Sequence, residues 1–243
     1  MTTRALFRED AWLTHCDATI TGIDDAGILL DQTVFYPLGG GQAGDTGALL
    51  LADGTRIVIV DTRKAKFEGA TPDDALHIPA PDQQALLERV RAGERVVAQI
   101  DWDSRYRRMR LHTACHLMCV ALPYPVDGCS ITTDYARLDF ATVEPVDREA
   151  LAARLAEMVA GAHPVTSEWI TDEAMAAQPD LVRTMSVKPP AGFGRVRLVR
   201  IEDVDLQPCG GTHVRNTREI GALRIAKVEK KSARTRRVVL ELA

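Results

Sequence analysis

Residues 101–123 read DWDSRYRRMRLHTACHLMCVALP, and this run separates two kinds of sequence. Asp103 or Ser104 can cap a helix that runs to Leu122 and stops at Pro123, since the residue before a proline is pushed out of the helical region. Leu111, Ala114, Met118 and Leu122 recur three or four residues apart and predict a buried stripe. His112 and His116 stand four apart, which in a helix puts both on one face, about 6 Å apart along the axis.

Upstream of this run the chain reads as β. DATITGID, GILLDQTVFY, GALLLADGTRIVIVDTRK and ERVVAQID are short apolar and β-branched stretches. Turn signals divide them at Asp24-Asp25-Ala26-Gly27, at the glycines from Gly39 and at Asp53-Gly54. Strands this short and this closely spaced predict a small barrel, with one helix over Asp82–Arg91. Downstream, GCSITTDYARLDFATV predicts a hairpin, Asp147 caps a helix REALAARLAEMVA ending at Gly161, and TDEAMAA is a short helix before Pro179. VTSEWI, GRVRLVRIEDV, REIGALRIAKVEKK and ARTRRVVLELA predict further strands. Strands and helices do not alternate regularly, so the fold class is α+β. The expected division is a β-barrel domain over residues 1–95, which contains the glycine-rich segment, and an α+β domain over 96–243, with the break near residues 93–102.

At 243 residues, 46% hydrophobic and 26% charged, the composition is that of a globular protein with room for two modest cores. No run of roughly eighteen apolar residues predicts a membrane span, and the start MTTRALFREDAWLTHC has no apolar stretch of the secretory kind. Cys16, Cys115, Cys119, Cys129 and Cys209 form an odd, scattered set that suits a reducing cytoplasm better than a disulfide framework. A net charge of -4 argues against a globally basic nucleic-acid binder. Basic residues nevertheless crowd at Arg105, Arg107, Arg108 and Arg110, and again from Arg215 to Arg237, where they predict either phosphate contacts or a solvated face.

HxxxH by itself is a common structural or surface pattern. The second stretch, Gln207–Val214, QPCGGTHV, changes its meaning. Two adjacent glycines let the backbone turn tightly enough for Cys209 and His213 to face one point. Three imidazoles and a thiolate suit Zn²⁺, so His112, His116, Cys209 and His213 are the candidate metal ligands. Thr113 stands where a zinc protease of the HExxH type carries its glutamate base, which argues against a peptidase. Cys115, Cys119 and Cys129 are expected in the core.

HxxxH and CxxxH across this long gap resemble the editing domain of alanyl-tRNA synthetase and its free-standing relatives, the AlaX proteins, with a related domain in threonyl-tRNA synthetase. Three more stretches carry the resemblance: FYPLGGGQAGDTG at Phe35–Gly47, ARLDF at Ala136–Phe140, and the stretch from CGGTH to the C-terminus. The glycine-rich segment is similar to that of the medium-length free-standing form. The length leaves no room for an aminoacylation module or for the long form's extra C-terminal domain. The loop KKSARTRR departs from the family in lacking a glycine, and Cys115 stands where relatives often carry another small or hydroxyl residue.

The resemblance implies a small β-barrel followed by an α+β zinc-containing editing domain. It also implies a trans-editing hydrolase that deacylates mischarged tRNA(Ala), chiefly Ser-tRNA(Ala) and also Gly-tRNA(Ala), at the aminoacylated 3' end. A zinc-stabilised tRNA-binding module without turnover and a zinc hydrolase of small esters or amides are the alternatives. Rejecting alanine requires a site that hydrogen-bonds the serine hydroxyl, which can discriminate by about 10⁴–10⁵-fold. Thr113, Ser130, Thr132 and Thr133 are candidates, although residues of this kind are more often strand or helix fillers, and Thr212 could merely fix its loop. Gly40 and Gly41 could shape the substrate entrance, with Gln42 and Asp45 supplying directed hydrogen bonds. Four protein ligands would close the zinc shell, whereas catalytic zinc keeps a position open, so a catalytic and an organising ion both remain compatible with the residues.

Overall fold

The computed structural model describes residues 3–24, 26–71, 73–178, 181–182 and 194–243. Two compact units are formed, Met1–Gly39 with Ala43–Arg105, and Gly40–Gln42 with Tyr106–Ala243. The expected turn at 24–27 includes Asp25, and the expected helix stop is Pro179; both lie outside the described residues.

The first unit contains, in chain order, β1 (Arg4–Ala5), helix α1 (Leu6–Glu9), β2 (His15–Asp24), β3 (Gly27–Leu30), β4 (Gln32–Thr33), β5 (Gly47–Leu51), β6 (Arg56–Lys64), β7 (Ala75–Pro79), helix α2 (Gln84–Leu87) and β8 (Arg95–Ile100). Six of the strands close a barrel in the order β2-β3-β7-β6-β5-β8, and β1 pairs with β4 in parallel. Strand β6 shows how the sequence builds it. Ile57 and Ile59 point into the core while Val58 and Val60 face out, the two-residue period of a half-buried strand. Ile20, Ile28, Leu30, Leu49, Val96, Ala98 and Ile100 complete the filling.

Two features differ from expectation. Strand β7, ALHIP, is not among the expected strands; it buries Ala75 and His77 and pairs with β3 and β6. The helix expected over 82–91 shrinks to a 3₁₀ turn at Pro81–Gln83 and the single turn of α2. Its start is drawn elsewhere because the Gln83 amide bonds both the N–H and the carbonyl of Val58, at 2.7 and 2.8 Å.

Helix α3 (Trp102–Ala121) starts in the first unit and carries the chain into the second. The composition change at residues 93–102 falls on β8 and the start of α3, whereas the compact units divide between Arg105 and Tyr106. Strand β8 pairs with both β2 and β5, and Arg105 is fully buried in the first unit. Asp101, one turn earlier than the expected caps, receives the Ser104 N–H at 3.2 Å and the Ser104 hydroxyl at 2.8 Å. Instead of presenting one apolar stripe, α3 is buried on all sides from Leu111 to Cys119, as befits a central helix, and Leu122 lies beyond its end, half-buried.

The rest of the second unit is β9 (Val126–Ile131), β10 (Tyr135–Ala141), α4 (Arg148–Ala160), β11 (Val165–Thr171), α5 (Asp172–Ala176), β12 (Arg195–Ile201), β13 (Asp205–Pro208), β14 (Leu223–Ser232) and β15 (Thr235–Leu242). They form an antiparallel sheet β14-β15-β10-β9 and a second one, β11-β12-β13. Asp147 caps α4 through the N–H groups of Glu149 and Ala150, both at 3.0 Å. The helix ends at Gly161, but the left-handed backbone falls on Ala162 (φ 53°). REI of the expected penultimate strand is a 3₁₀ turn, Thr217–Ile220, closed by a capping box between Asn216 and Glu219. The architecture is α+β with a six-stranded barrel. No helix among the described residues is long and apolar enough to cross a membrane.

Candidate metal centre

Strand β13 runs Asp205-Leu206-Gln207-Pro208 into Cys209, and its two-residue period puts Asp205, Gln207 and Cys209 on one face. Helix α3 supplies His112 and His116, and the turn after Cys209 supplies His213. The ligand atoms of these four residues lie within 4.8 Å of one another. The Cys209 Sγ stands 3.4 Å from His112 Nε2 and 3.3 Å from His213 Nε2. In a tetrahedral zinc shell with Zn–N of about 2.0–2.1 Å and Zn–S of about 2.3 Å, neighbouring donors stand about 3.3–3.6 Å apart, the spacing that these two sulfur–nitrogen pairs show.

Each imidazole is oriented from behind. The Nδ1–H of His112 donates to Gln42 Oε1 at 2.7 Å, that of His213 to Thr113 Oγ1 at 3.1 Å, and that of His116 to Asp205 Oδ2 at 3.0 Å. Thr113 can accept because its own hydroxyl proton goes to the Met109 carbonyl at 2.9 Å. Gln207 Nε2 donates to the same Asp205 oxygen at 2.7 Å. Such contacts fix the tautomer and leave Nε2 as the electron-pair donor.

The electrostatics favour the ligating form at Cys209 and His213, whereas His116 must release a proton to bind a metal. Burial raises the Cys209 thiol, yet the imidazoles of His112 and His213 outweigh it and hold the group well below the ordinary thiol value, in the thiolate form that binds metals. Burial lowers His116, but its bonds to Asp205 and to the thiolate raise it to about 10. His213 is lowered to about 3 by burial and by neighbouring His112. Cys115 is the opposite of Cys209: a hydrogen bond with Cys129 and burial raise it well above the ordinary value, and it stays a core thiol.

The glycine-rich segment splits. Gly40 and Gly41 take positive φ (58° and 85°), and a Cβ at Gly41 would lie 2.7 Å from the Cys129 sulfur. This close approach lets the Gly41 carbonyl accept the Ile131 N–H at 2.7 Å and seats Gln42 beside β9. The Gln42 amide then joins His112 to the metal loop, accepting the Thr212 N–H at 3.1 Å and donating to the Thr212 hydroxyl at 2.9 Å.

Asp45 corrects the expectation of a substrate contact. It is fully buried in the first unit, paired with Arg105 and accepting the Tyr36 N–H at 2.7 Å. Arg105 is correspondingly lost to phosphate, as is buried Arg108. Three more hydroxyls serve the fold. Thr113 and Thr212 are engaged as described, and Thr132 donates to the Tyr135 carbonyl at 3.1 Å across the β9–β10 turn. Half-buried Thr133 offers its carbonyl to Arg107 Nε at 2.9 Å. Ser130 lies on β9 next to Cys129 and, by strand alternation, on the opposite face of the sheet.

Asp205, Gln207 and Arg197 also belong to the site, though none was expected there from the sequence. The period of DLQPC could have pointed to the first two; the third, whose guanidinium holds the Cys209–Gly211 loop, left no local signal.

The chain is similar to known proteins along nearly its whole length. Residues 196–239 match the threonyl and alanyl tRNA synthetase second additional domain, and residues 7–104 match the class II (A) tRNA synthetases. The alanyl-tRNA editing protein AlaX-M of Methanosarcina mazei is 33% identical over 249 residues, covering 99% of this chain and 96% of the relative. That of Saccharolobus solfataricus is 32% identical, with 97% of each chain covered. An alanine–tRNA ligase from Metallosphaera sedula is 35% identical over 94% of this chain, which corresponds to 25% of the ligase. With identity above 30% along nearly its whole length, the chain belongs to the AlaX-M family of alanyl-tRNA editing proteins.

Proposed function

We propose that this protein is an aminoacyl-tRNA deacylase that hydrolyses the ester of mischarged tRNA(Ala), chiefly Ser-tRNA(Ala) and also Gly-tRNA(Ala), with zinc held by His112, His116, Cys209 and His213. The observation that carries it is the convergence of these four donors, each imidazole braced at Nδ1, in a chain of the AlaX-M family. Zinc bound there supplies Lewis acidity, able to polarise an ester carbonyl, lower the pKa of water or hold the substrate's amino and hydroxyl groups. The chain's own part is to orient. Gln42, Thr113 and Asp205 keep the donor atoms in place before substrate arrives.

Gly40, with open space where a Cβ would stand, and the Thr132–Thr133 turn are the proposed substrate-facing elements. Refusal of alanine would rest on a hydrogen bond to the serine hydroxyl, in which Thr133 is the candidate. The solvent-exposed tip of the β14–β15 hairpin, Lys230, Lys231 and Arg234, is the proposed phosphate contact, although Lys231 also pairs with Asp139 at 2.8 Å. Such contacts make affinity fall steeply with salt.

A second reading is favoured by the number of protein donors. Four is the pattern of structural zinc, and it would suit a tRNA-binding module without turnover. One experiment separates the two: zinc-loaded and chelated protein incubated with Ser-, Gly- and Ala-tRNA(Ala). Loss of the seryl ester about 10⁴-fold faster than the alanyl ester is expected. A seryl ester that survives stoichiometric zinc leaves only the binding module. Equal loss of both esters removes the discrimination, and full activity after chelation removes zinc's role.

A further inference from the structure

Of the four candidate ligands, Cys209 alone is held on the rim of a sheet, where the chain leaves β13 for the turn. Its position is governed by one residue on the neighbouring strand. Arg197 of β12 accepts the Cys209 N–H at its own carbonyl (3.0 Å), and its Nη1 donates to the Cys209 carbonyl and to the Gly211 carbonyl, each at 3.0 Å. Cys209 is thus gripped at both ends of its backbone, with Gly211 drawn to the same guanidinium. The Gly211 N–H in turn points at the Cys209 Sγ, 3.4 Å away. A Cβ on Gly211 would stand 2.1 Å from His112 Cε1, so the loop is pressed onto the imidazole with no slack to take up a shift.

We propose that Arg197 is the positioning residue of the metal centre: by pinning the Cys209 and Gly211 carbonyls it presets where the thiolate sits, and thereby sets the affinity for zinc. The requirement is for arginine rather than any cation. A planar guanidinium offers several directed N–H donors from a pre-organised fork, whereas a lysine ammonium holds carbonyls only as a mobile point charge. The proposal rests on the zinc reading above.

The test compares the parent with R197M, R197K and R200M. Arg200 lies on the same strand but pairs at the surface with Glu168, 2.8 Å away, and serves as the control. Zinc affinity is read by competition with a chromophoric chelator, and the environment of the thiolate by the sulfur-to-metal absorption of the cobalt(II) form. Loss of an outer contact of this kind typically weakens metal binding by about 10–100-fold. R197M is expected to fall in that range with an altered sulfur-to-cobalt band, R197K between it and the parent, and R200M with the parent. R197M that binds zinc within about twofold of the parent overturns the proposal while leaving the metal centre intact. A parent that binds no zinc overturns the metal reading together with it. Should R197M fail to fold, R197K decides: parental affinity and band reject the assignment, and weaker binding with a changed band supports it.

Discussion

Each unit buries a polar cluster, and the two clusters are built on opposite plans. In the first, Arg105 and Asp45 are both fully buried, and their groups turn toward one another and toward backbone. Arg105 donates to the Ala11 and Val34 carbonyls at 2.8 and 2.7 Å, while Asp45 takes the Tyr36 N–H. Charge meets opposite charge, and the network is closed. In the second, three imidazoles and a thiolate bring electron-pair donors together, and the groups that brace the imidazoles, Gln42, Thr113 and Asp205, stand behind them. Groups of one kind facing each other are costly to assemble in a protein interior. A cation bound there would make that arrangement favourable. A buried polar cluster therefore reads as structural when it closes on itself and as a cation site when only donors converge.

The largest expected effect breaks the closed network. Asp45→Asn leaves Arg105 charged without its partner, and removing one member of a buried pair costs about 3–5 kcal/mol. Urea unfolding followed by a barrel-sensitive signal should show it, with Asp45→Leu/Arg105→Met less destabilised than the single variant. A single variant within about 1 kcal/mol of the parent would mean that the pair is not the keystone its burial suggests.

Next comes pH. His77 is buried in the barrel, its Nδ1–H donating to the Ile28 carbonyl at 2.9 Å and its Nε2 accepting from the Thr33 hydroxyl at 2.8 Å, and burial lowers it to about 4. The unfolded chain takes up a proton at the ordinary histidine value of about 6.5, so between the two values it binds more protons than the folded chain. Stability is complete above pH ~6.5 and falls by about 3 kcal/mol as the pH drops to ~4. His77→Gln should flatten the stability profile in that window, and an unchanged slope would assign the acid sensitivity elsewhere.

A smaller effect tests the open cluster. Gln42→Met removes the amide that joins His112 to Thr212 and should weaken zinc binding by about 10–100-fold, the usual range for an outer contact. Chelator competition measures it, and affinity equal to the parent's would show that His112 needs no brace. Smallest of all, Asp147→Ala removes the α4 cap, which lies in neither cluster, and should cost about 1 kcal/mol in urea unfolding without altering zinc affinity.

Much of this was legible in the sequence. Helical spacing placed His112 and His116 on one face, two glycines announced the turn that joins Cys209 to His213, and short apolar and β-branched runs between turn signals identified most barrel strands. The glycine-rich segment was not. Gln42 and Asp45 stand three residues apart and look equivalent as directed hydrogen-bond donors or acceptors, yet Gln42 joins the second unit and Asp45 the first. Arg105 and Arg107, two residues apart in a basic run, part in the same way: one is fully buried, the other half-exposed.

Periodicity and chain geometry act over a few residues, so the residue order alone determined the local elements and which side chains could act as metal ligands. The tertiary structure decided which partners those side chains found, since Gln42–Thr212, His116–Asp205 and Asp45–Arg105 are joined across 170, 89 and 60 residues. Whether a polar group ends in a closed network or against a cation site depends on what packing brings opposite it, and no spacing in the sequence encodes that.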